Sequence, residues 1–284
     1  MEAQARLRPR LALAYSVRDP AGSGAARELV ELLGGEKGEC PGARECWVLP
    51  RGVMLGGFDA ETVEFEFLDE TPDPRAEAVV VLSRHSASSG RPSLTTHHTG
   101  NPTSTTLGGE PYRLAVSAPP LSRALLRAYR DEAGARGLLG EYEVTLEATH
   151  HGPTGPSKPI VFIEIGSDPT RWADRRAHQA MAAAVARVLE GGIEPCTPAA
   201  GFGETHYPAG FTRIHLDGEY CMGHIIPRYA IRQGITREVI EQAVARTWPE
   251  PARVAIVRRK SARSAERREI VAALEGLGVE VIVD

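Results

Sequence analysis

The sequence lacks any long apolar run. No stretch of its 284 residues approaches the roughly 20 consecutive apolar residues of a membrane span. The opening segment 1–17 reaches polar Ser16 too soon for the apolar core of a secretion signal. We therefore expect no membrane anchor and a cytoplasmic location. Because 42% of the residues are apolar, the chain can bury a large core, and we expect residues 1–284 to form one domain.

Cysteine, methionine and asparagine are scarce. The chain has four cysteines, four methionines and a single asparagine, Asn101. No C-x-x-C spacing occurs, which predicts neither a disulfide framework nor a zinc ribbon. The four cysteines are Cys40, Cys46, Cys196 and Cys221. Scarcity of thermolabile residues is typical of proteins that work at high temperature, although a GC-rich genome would also favour the observed excess of arginine over lysine.

Common catalytic motifs are absent as well. The sequence contains no G-x-S-x-G, H-E-x-x-H or Walker A pattern, which disfavours a serine esterase of the α/β-hydrolase kind and a zincin. The net charge of −4 argues against a surface that coats nucleic acid uniformly. The segment 253–270 is nevertheless locally basic, and it can either hold phosphate or form an ordinary solvated helix face.

Apolar runs that alternate with helical patterns predict an α/β fold. The predicted strands include 11–17, 62–68, 78–84, 142–149, 159–167, 211–216 and 219–226. Because 142–149 and 159–165 look like the two arms of a hairpin, we expect a mixed sheet in a three-layer α/β/α sandwich. The Ser-, Thr- and Gly-rich stretch 86–111 is predicted as a long loop, and such loops are more often functional than structureless.

All nine histidines fall between residues 85 and 224. His178 lies in a predicted Ala-rich helix and is interpreted as structural. The others fall at predicted strand ends or in loops, where several can meet at one edge of the sheet. Imidazole nitrogens bind Zn²⁺, and carboxylates such as Glu147 or Glu164 can complete or support such a site. The alternative is that each histidine is an ordinary hydrogen-bonded residue.

Two adjacent histidines, His150 and His151, end the predicted strand 142–149. Side chains alternate across a strand, so Glu147 and His151 would share one face while His150 points the other way. Both histidines can reach one site only if the chain twists or bulges there. We expect His151 to face the reacting group, and His150 to hold the neighbouring loop or a second ion.

Four separated segments resemble the motif set of the archaeal and plant type of D-aminoacyl-tRNA deacylase. They are SRHSASSGRPSLTTHHTGN (83–101), LEATHHGPT (146–154), PIVFIEIGS (159–167) and GHIIPRYAI (223–231). Their order matches, and the DPAG turn after the first strand also fits. One departure occurs in GFGETHYPAG (201–210), where Glu204 and Thr205 replace a more glycine-rich pattern while His206 and Tyr207 match.

The resemblance implies a monomeric enzyme that hydrolyses the ester between a D-amino acid and the 3′-terminal ribose of tRNA. It also implies two zinc ions per subunit and an α/β fold similar to that of peptidyl-tRNA hydrolase and the phosphorylase/hydrolase group. The expected metal ligands are His97, His98, His150, His151 and His206. Besides His150 and His151, Glu164 and Glu147 are the expected catalytic residues, as general base or as support for the ligands. The expected substrate-binding residues are Asn101, His85, Tyr207, Arg259, Lys260 and Arg263.

Other mechanisms and functions stay open on the sequence. Asn101 and a neutral histidine can orient water without a metal ion, in which case the histidine cluster would bind the CCA end. The His/Glu cluster alone is also compatible with a zinc-dependent amidase or peptidase. The basic segment alone is compatible with a non-catalytic RNA-binding protein.

Overall fold

The computed structural model describes residues 5–87 and 90–284. The strands are β1 (Leu11–Ser16), β2 (Glu36–Lys37), β3 (Glu45–Leu49), β4 (Val53–Phe58), β5 (Ala78–Ser86), β6 (Ser93–His97), β7 (Gly100–Asn101), β8 (Arg113–Leu114), β9 (Glu143–Leu146), β10 (Ile160–Ser167), β11 (Thr197–Phe202), β12 (Tyr220–Ile226), β13 (Val254–Val257) and β14 (Glu280–Val283). The α-helices are α1 (Pro20–Leu33), α2 (Pro119–Ala135), α3 (Pro169–Trp172), α4 (Arg175–Gly191), α5 (Ala209–Asp217), α6 (Arg228–Gly234), α7 (Arg237–Ala245) and α8 (Ser264–Gly276). Within these described ranges, no helix is both long and apolar enough to cross a bilayer.

The larger sheet has eight strands in the order β2-β3-β4-β1-β5-β10-β6-β9. Its central strands are buried on both faces, as expected of the apolar runs that form them. One face packs against α1, α2 and α4. The other face is covered by segment 58–68, in which the rings of Phe58, Phe65 and Phe67 pack together with centroids 4.8–5.5 Å apart. The predicted α/β fold with a mixed sheet flanked by helices is confirmed.

The smaller sheet has four parallel strands in the order β12-β11-β13-β14. One face packs against α2, α5 and β9, and the other packs against α6, α7 and α8. The carboxyl ends of β11 and β13 lie side by side because these two strands are parallel neighbours. The loop that follows β11 and the basic segment that follows β13 therefore share one edge of this sheet.

The predicted hairpin of 142–149 with 159–165 is wrong. β6 lies between β9 and β10, antiparallel to β10 and parallel to β9. This strand comes from the stretch 86–111 that was predicted as a loop, of which residues 88 and 89 lie outside the described residues. β6 is rich in Ser and Thr, yet it is completely buried, because it lies between β10 and β9 and is not an edge strand. Composition therefore gave the wrong prediction for this stretch.

Two other predicted strands are also wrong. Segment 62–68 forms a short 3₁₀-helix (Thr62–Glu64) and turns, and it buries Phe65 and Leu68 against the sheet without joining it. Segment 211–216 lies within α5, whose buried residues include Phe211, His215 and Leu216. Phe211 and His215 are four residues apart, and residues at this spacing lie on one face of a helix and also on one face of a strand. A segment of six residues is therefore too short to distinguish the two.

All four cysteines form disulfides, which corrects the prediction that the sequence has no disulfide framework. Cys40 is bonded to Cys46, and Cys196 is bonded to Cys221. Cys196 lies just before β11 and Cys221 lies on the neighbouring strand β12, so pairing of the strands brings the two thiols together. Disulfide-rich proteins are common in hyperthermophiles, which agrees with the scarcity of thermolabile residues.

We expect the Cys196–Cys221 disulfide to be the more stabilising of the two. It closes a loop with a sequence separation of 25, against 6 for Cys40–Cys46. Loop-closure entropy then predicts about 3.5 kcal/mol for the longer loop and about 2.3 kcal/mol for the shorter one. Denaturant unfolding of the two Cys→Ser double variants under oxidising conditions measures this difference. An equal or larger loss from the Cys40/Cys46 pair would contradict the prediction.

Candidate active site

Three strands of the larger sheet bring polar side chains to one face. His85 on β5 is in register with Gly166 on β10, two residues beyond Glu164. His97 ends β6 and is paired with Phe162 on β10. Because residues in register, and residues two apart on a strand, lie on the same face of a sheet, His85, His97 and Glu164 face the same side. All three side chains are buried.

The two adjacent histidines lie beyond the regular strand. β9 ends at Leu146, and the chain continues by donating the Ala148 N–H to the His206 carbonyl at 2.8 Å. His151 has a positive φ of 43°, in the left-handed region that non-glycine residues rarely adopt. This turn of the backbone brings the rings of His150 and His151 together, with centroids 4.3 Å apart. Strict alternation of side chains therefore does not separate them.

Glu147 lies at the centre of the cluster. Its Oε2 is 2.8 Å from Nε2 of His206, 3.0 Å from Nδ1 of His85 and 3.5 Å from Nε2 of His150. Its other oxygen, Oε1, accepts a 2.5 Å hydrogen bond from the Thr95 hydroxyl. One carboxylate thus faces three imidazole nitrogens while a buried hydroxyl fixes its orientation.

Glu164 organises the neighbouring half of the cluster. Its Oε2 lies 3.5 Å from Nδ1 of His85 and 3.5 Å from Nε2 of His97. The His97 ring lies 4.4 Å from the His150 ring and 4.8 Å from the His151 ring, measured between centroids. His97 and His150 therefore connect the group around Glu147 with the group around Glu164.

Backbone carbonyls fix the tautomers of several rings. Nδ1 of His150 lies 2.8 Å from the Ala148 carbonyl oxygen, and Nδ1 of His151 lies 2.6 Å from the Gly152 carbonyl oxygen. A carbonyl only accepts, so each Nδ1 carries the proton and donates it. The Nε2 atom of each neutral ring is then left with a lone pair, the form in which histidine binds a metal ion.

Several buried polar atoms of the cluster lack a hydrogen bond of good geometry to any residue of the described ranges, which is unusual for buried groups. They are His85 Nε2, His97 Nε2, Glu147 Oε2, Glu164 Oε2 and His206 Nε2. The possible ligand atoms form three overlapping groups, and within each group the atoms lie within 4.8 Å of one another. The groups are His85, Glu147, His150 and His206; His97, His150 and His151; and His97, Glu147 and Glu164. Imidazole nitrogens with carboxylate oxygens are a suitable donor set for a metal ion, so these residues could hold one.

The charges of the cluster are mutually dependent. Burial alone would raise the pKa of Glu147, but the imidazoles of His206 and His85, 2.8 and 3.0 Å from its Oε2, hold this pKa well below its ordinary value. Burial also opposes ionisation of Glu164, yet the charge of His97 and a hydrogen bond from His85 lower its pKa to about 2. Burial favours the neutral form of His85, but both carboxylates outweigh it and raise its pKa to about 11.

His150 and His151 have the opposite tendency. Burial, followed by the charge of His151, lowers the pKa of His150 well below its ordinary value. Burial, followed by the charge of His97, lowers the pKa of His151 to about 4. At neutral pH both rings are therefore uncharged and able to accept a proton or bind a metal ion.

The cluster opens into a cavity of about 760 Å³. Its lining includes four residues of the cluster, His150, His151, His206 and Glu164, together with Tyr207. The remaining wall combines polar and apolar residues: Glu61, Thr62, Val63, Ser83, Arg84, His85, Ser86, Ala87 and Leu107. A cavity of this size accepts a small organic group next to the donor cluster.

The sequence matches the family model for D-aminoacyl-tRNA deacylase over residues 72–282. The D-aminoacyl-tRNA deacylase of Aeropyrum pernix is 50% identical over 276 residues, which cover 96% of this chain and 99% of that protein. This chain belongs to the D-aminoacyl-tRNA deacylase family. The family member of Hyperthermus butylicus is 52% identical over 202 residues, 70% of this chain and 74% of that protein. The family resemblance expected from the sequence motifs is confirmed.

A solved structure agrees with the fold of this deacylase family member. The crystal structure of AF0625, described as a conserved protein of unknown function, superposes with a TM-score of 0.88. It is 29% identical and covers 97% of this chain and 95% of its own. The arrangement of two sheets around the cluster therefore has a close counterpart in an experimental structure.

The structure brings together four of the five predicted metal ligands of this deacylase, namely His97, His150, His151 and His206. It places His98 elsewhere, with Nδ1 3.1 Å from the Gly223 carbonyl oxygen and the ring 6.0 Å from that of His224. His97 and His98 are neighbours in sequence and therefore point to opposite sides. His178 lies outside the cluster, 2.7 Å from the Trp172 carbonyl oxygen, as its structural interpretation required.

The predicted substrate-binding residues are divided between different places. His85 and Tyr207 lie at the cavity, and His85 belongs to the donor cluster itself. Asn101 is buried, and its side-chain amide donates to the carbonyls of Gly108 and Glu110, so it holds the loop after β7. The other three, Arg259, Lys260 and Arg263, lie in the turn between β13 and α8.

Sequence reasoning missed several residues of the cavity wall. Arg84 pairs with Glu61 at 3.0 Å and lies over the Trp172 ring at 5.3 Å. Leu107 is 64% exposed although it is large and apolar, and it lines the cavity mouth. The position of Arg84 directly before His85 in the first family segment was the available signal for that residue. No pattern in the sequence pointed to Leu107.

Proposed function

We propose that this protein hydrolyses the ester bond of D-aminoacyl-tRNA and releases the free D-amino acid and tRNA. The observation that carries the proposal is the His/Glu donor cluster that lies against a cavity, in a chain that belongs to the D-aminoacyl-tRNA deacylase family. The cavity has room for an aminoacyl group, and the cluster supplies groups that activate water. Such hydrolysis would recycle mischarged tRNA and prevent toxicity of D-amino acids.

We propose Zn²⁺ as the metal ion, with up to two ions per subunit. His85, Glu147 and His206 would hold one ion, and His97 and His151 would hold the other, with His150 within reach of both groups and Glu164 beside His97. Thr95 supports the first group because it fixes the Glu147 carboxylate. When bound, zinc would lower the pKa of a coordinated water and polarise the ester carbonyl.

The residues of the chain have separate tasks in this proposal. The neutral Nε2 of His151, with Nδ1 held by the Gly152 carbonyl, can accept a proton from water or bind the ion. Glu164, ionised at neutral pH, orients His85 and His97. Tyr207 faces the cavity beside His206, and its buried hydroxyl has no hydrogen-bond partner among the described residues, so it can donate to the substrate.

The metal-free alternative has less support. It requires Asn101 to orient water, but both hydrogen bonds of its amide nitrogen go to backbone carbonyls of a loop. A zinc-dependent amidase or peptidase would use the same donor cluster and therefore differs only in the substrate. Activity on D-aminoacyl-tRNA compared with activity on peptides and amides separates these possibilities.

A deacylation assay with chelation tests the proposed function. D-Tyr-tRNA should be cleaved much faster than L-Tyr-tRNA, because an enzyme that cleaved L-aminoacyl-tRNA would destroy useful substrate for translation. Removal of metal by a chelator should abolish cleavage, and added Zn²⁺ should restore it. Equal rates for the two enantiomers, or activity only on a panel of peptides and amides, would reject the proposal. Full activity in metal-free protein would reject the zinc mechanism alone.

We further propose that the basic turn 259–263 contacts tRNA phosphates through Arg259, Lys260 and Arg263. This turn follows β13 at the edge of the sheet shared with the loop that carries His206. The Arg259→Gln, Lys260→Gln, Arg263→Gln triple variant should weaken tRNA binding and reduce its salt dependence, because fewer counterions would be released. A matched triple variant of Arg6, Arg8 and Arg51, which contact the C-terminal region of α4, should leave the salt slope unchanged. The same slope in both variants would identify the turn as a solvated surface.

A further inference from the structure

Glu204 occupies a strained position in the loop between β11 and α5. Its φ of 61° lies in the left-handed region, where glycine is favoured over other residues. Its backbone is nevertheless bonded on both sides: the N–H donates to the Ser261 hydroxyl at 2.9 Å, and the carbonyl accepts from the Arg228 N–H at 2.9 Å. A strained backbone conformation persists only where surrounding contacts hold it in place, and the contacts of the Glu204 side chain are among them.

The Glu204 carboxylate connects two elements. One oxygen accepts a 2.6 Å bond from Nε of Arg258, and the other accepts a 2.9 Å bond from the backbone N–H of Gly210 in the first turn of α5. Both side chains of the ion pair are mostly buried, with exposures of 16% for Arg258 and 18% for Glu204. Arg258 is itself held by the Asp284 carboxylate and lies 4.5 Å from the centroid of the Phe211 ring.

His206, two residues after Glu204, is the most weakly enclosed ring around Glu147. Its side chain is 28% exposed, compared with 6% for His85 and 20% for His150. Its carbonyl accepts from the Ala148 N–H at 2.8 Å, and its Nε2 lies 2.8 Å from Glu147. The position of this ring therefore depends on the loop, and the loop is fixed at one end by the Glu204 carboxylate.

We propose that Glu204 is a positioning residue that, through its ion pair with Arg258 and its bond to Gly210, holds His206 against Glu147 for metal binding. This inference rests on the proposed function for its consequence in catalysis, but its structural part concerns the donor cluster alone. It assigns a role to a residue that departs from the glycine-rich pattern expected of this loop.

Three substitutions separate the carboxylate from the backbone conformation. Glu204→Gly removes the side chain and tolerates the positive φ, Glu204→Ala removes the side chain and keeps the strain, and Glu204→Gln keeps an acceptor for Gly210 without the charge. Glu241→Ala is the matched control, because it breaks an exposed ion pair with Arg237 on α7. The readouts are Zn²⁺ affinity by competition with a chromogenic chelator, hydrogen exchange of peptides that span 203–210, melting temperature, and deacylation.

Glu204→Ala and Glu204→Gly should each weaken Zn²⁺ binding by roughly 10- to 100-fold, the effect of losing a group that orients a ligand. Both should also accelerate exchange within 203–210, whereas Glu204→Gln should have a smaller effect and Glu241→Ala none. In a His206→Ala background, Glu204→Ala should cause no further loss of affinity, because the residue it positions is gone.

Wild-type Zn²⁺ affinity in Glu204→Gly would overturn the inference, as would an equal loss from Glu204→Ala with and without His206. If the affinities change as expected but D-aminoacyl-tRNA is not cleaved, the proposed function fails and the positioning role stands. If the wild-type protein cleaves its substrate without binding Zn²⁺, the same double-variant cycle measured on kcat decides the role of Glu204. In that case, additive losses would overturn it.

Discussion

Replacement of His151 with alanine is expected to reduce deacylation of D-aminoacyl-tRNA by at least about 10²-fold, the scale of losing a positioned acid–base group or metal ligand. His151 lines the cavity, its Nδ1 is fixed by the Gly152 carbonyl, and its pKa of about 4 keeps the ring neutral at working pH. Single-turnover kinetics on D-Tyr-tRNA measures the effect on the chemical step separately from product release.

A histidine outside the cluster provides the control for His151. His178→Gln removes a buried imidazole from α4, where its Nε2 lies 2.7 Å from the Trp172 carbonyl oxygen and outside the donor cluster, and should leave turnover nearly unchanged. Melting temperatures of both variants show whether a loss arises from unfolding. Near-normal turnover of a folded His151→Ala protein would show that the catalytic centre lies elsewhere on the cavity wall.

The sequence predicted that the histidines would cluster, because strand ends at the same edge of a sheet must lie close together. The location of His85, His150, His151 and His206 at one site follows from that rule. The face of the sheet on which each side chain lies could not be predicted, since it depends on the register of the strands. His97 enters the cluster while His98 does not, because β6 is an internal strand that the composition of its Ser- and Thr-rich segment did not reveal.

The expected alternation along 142–149 failed for a different reason. It required a regular strand up to Gly152, but β9 ends at Leu146 and the following residues bond to the smaller sheet through Ile225 and to the His206 loop. These are contacts between segments far apart in the chain, and local periodicity contains no information about them. The disulfide between Cys196 and Cys221 is similar, because pairing of strands rather than a spacing motif brings the two thiols together.

The central position of Glu147 leads to the second large effect that we expect. Glu147→Gln keeps the size of the side chain and can keep the bond from the Thr95 hydroxyl, but it removes the anionic oxygen that faces His85, His150 and His206. An amide is a much poorer metal ligand than a carboxylate, so Zn²⁺ affinity should fall by more than the roughly 10- to 100-fold typical of losing a group that only orients a ligand. Deacylation should fall with it.

The comparison with Glu164→Gln makes this prediction specific. Glu164 approaches two histidines, each at 3.5 Å, whereas Glu147 approaches three, one of them at 2.8 Å. If Glu147 holds a metal ion between these rings, Glu147→Gln should lose more Zn²⁺ than Glu164→Gln when metal content is measured by mass spectrometry after equal dialysis. Glu110→Gln, which breaks only an exposed ion pair with Arg113, should retain the wild-type content. If Glu147→Gln retained its metal and its activity, Glu147 would be a buried counter-ion of the histidines, and the ligands would have to be sought among His97, His150 and His151.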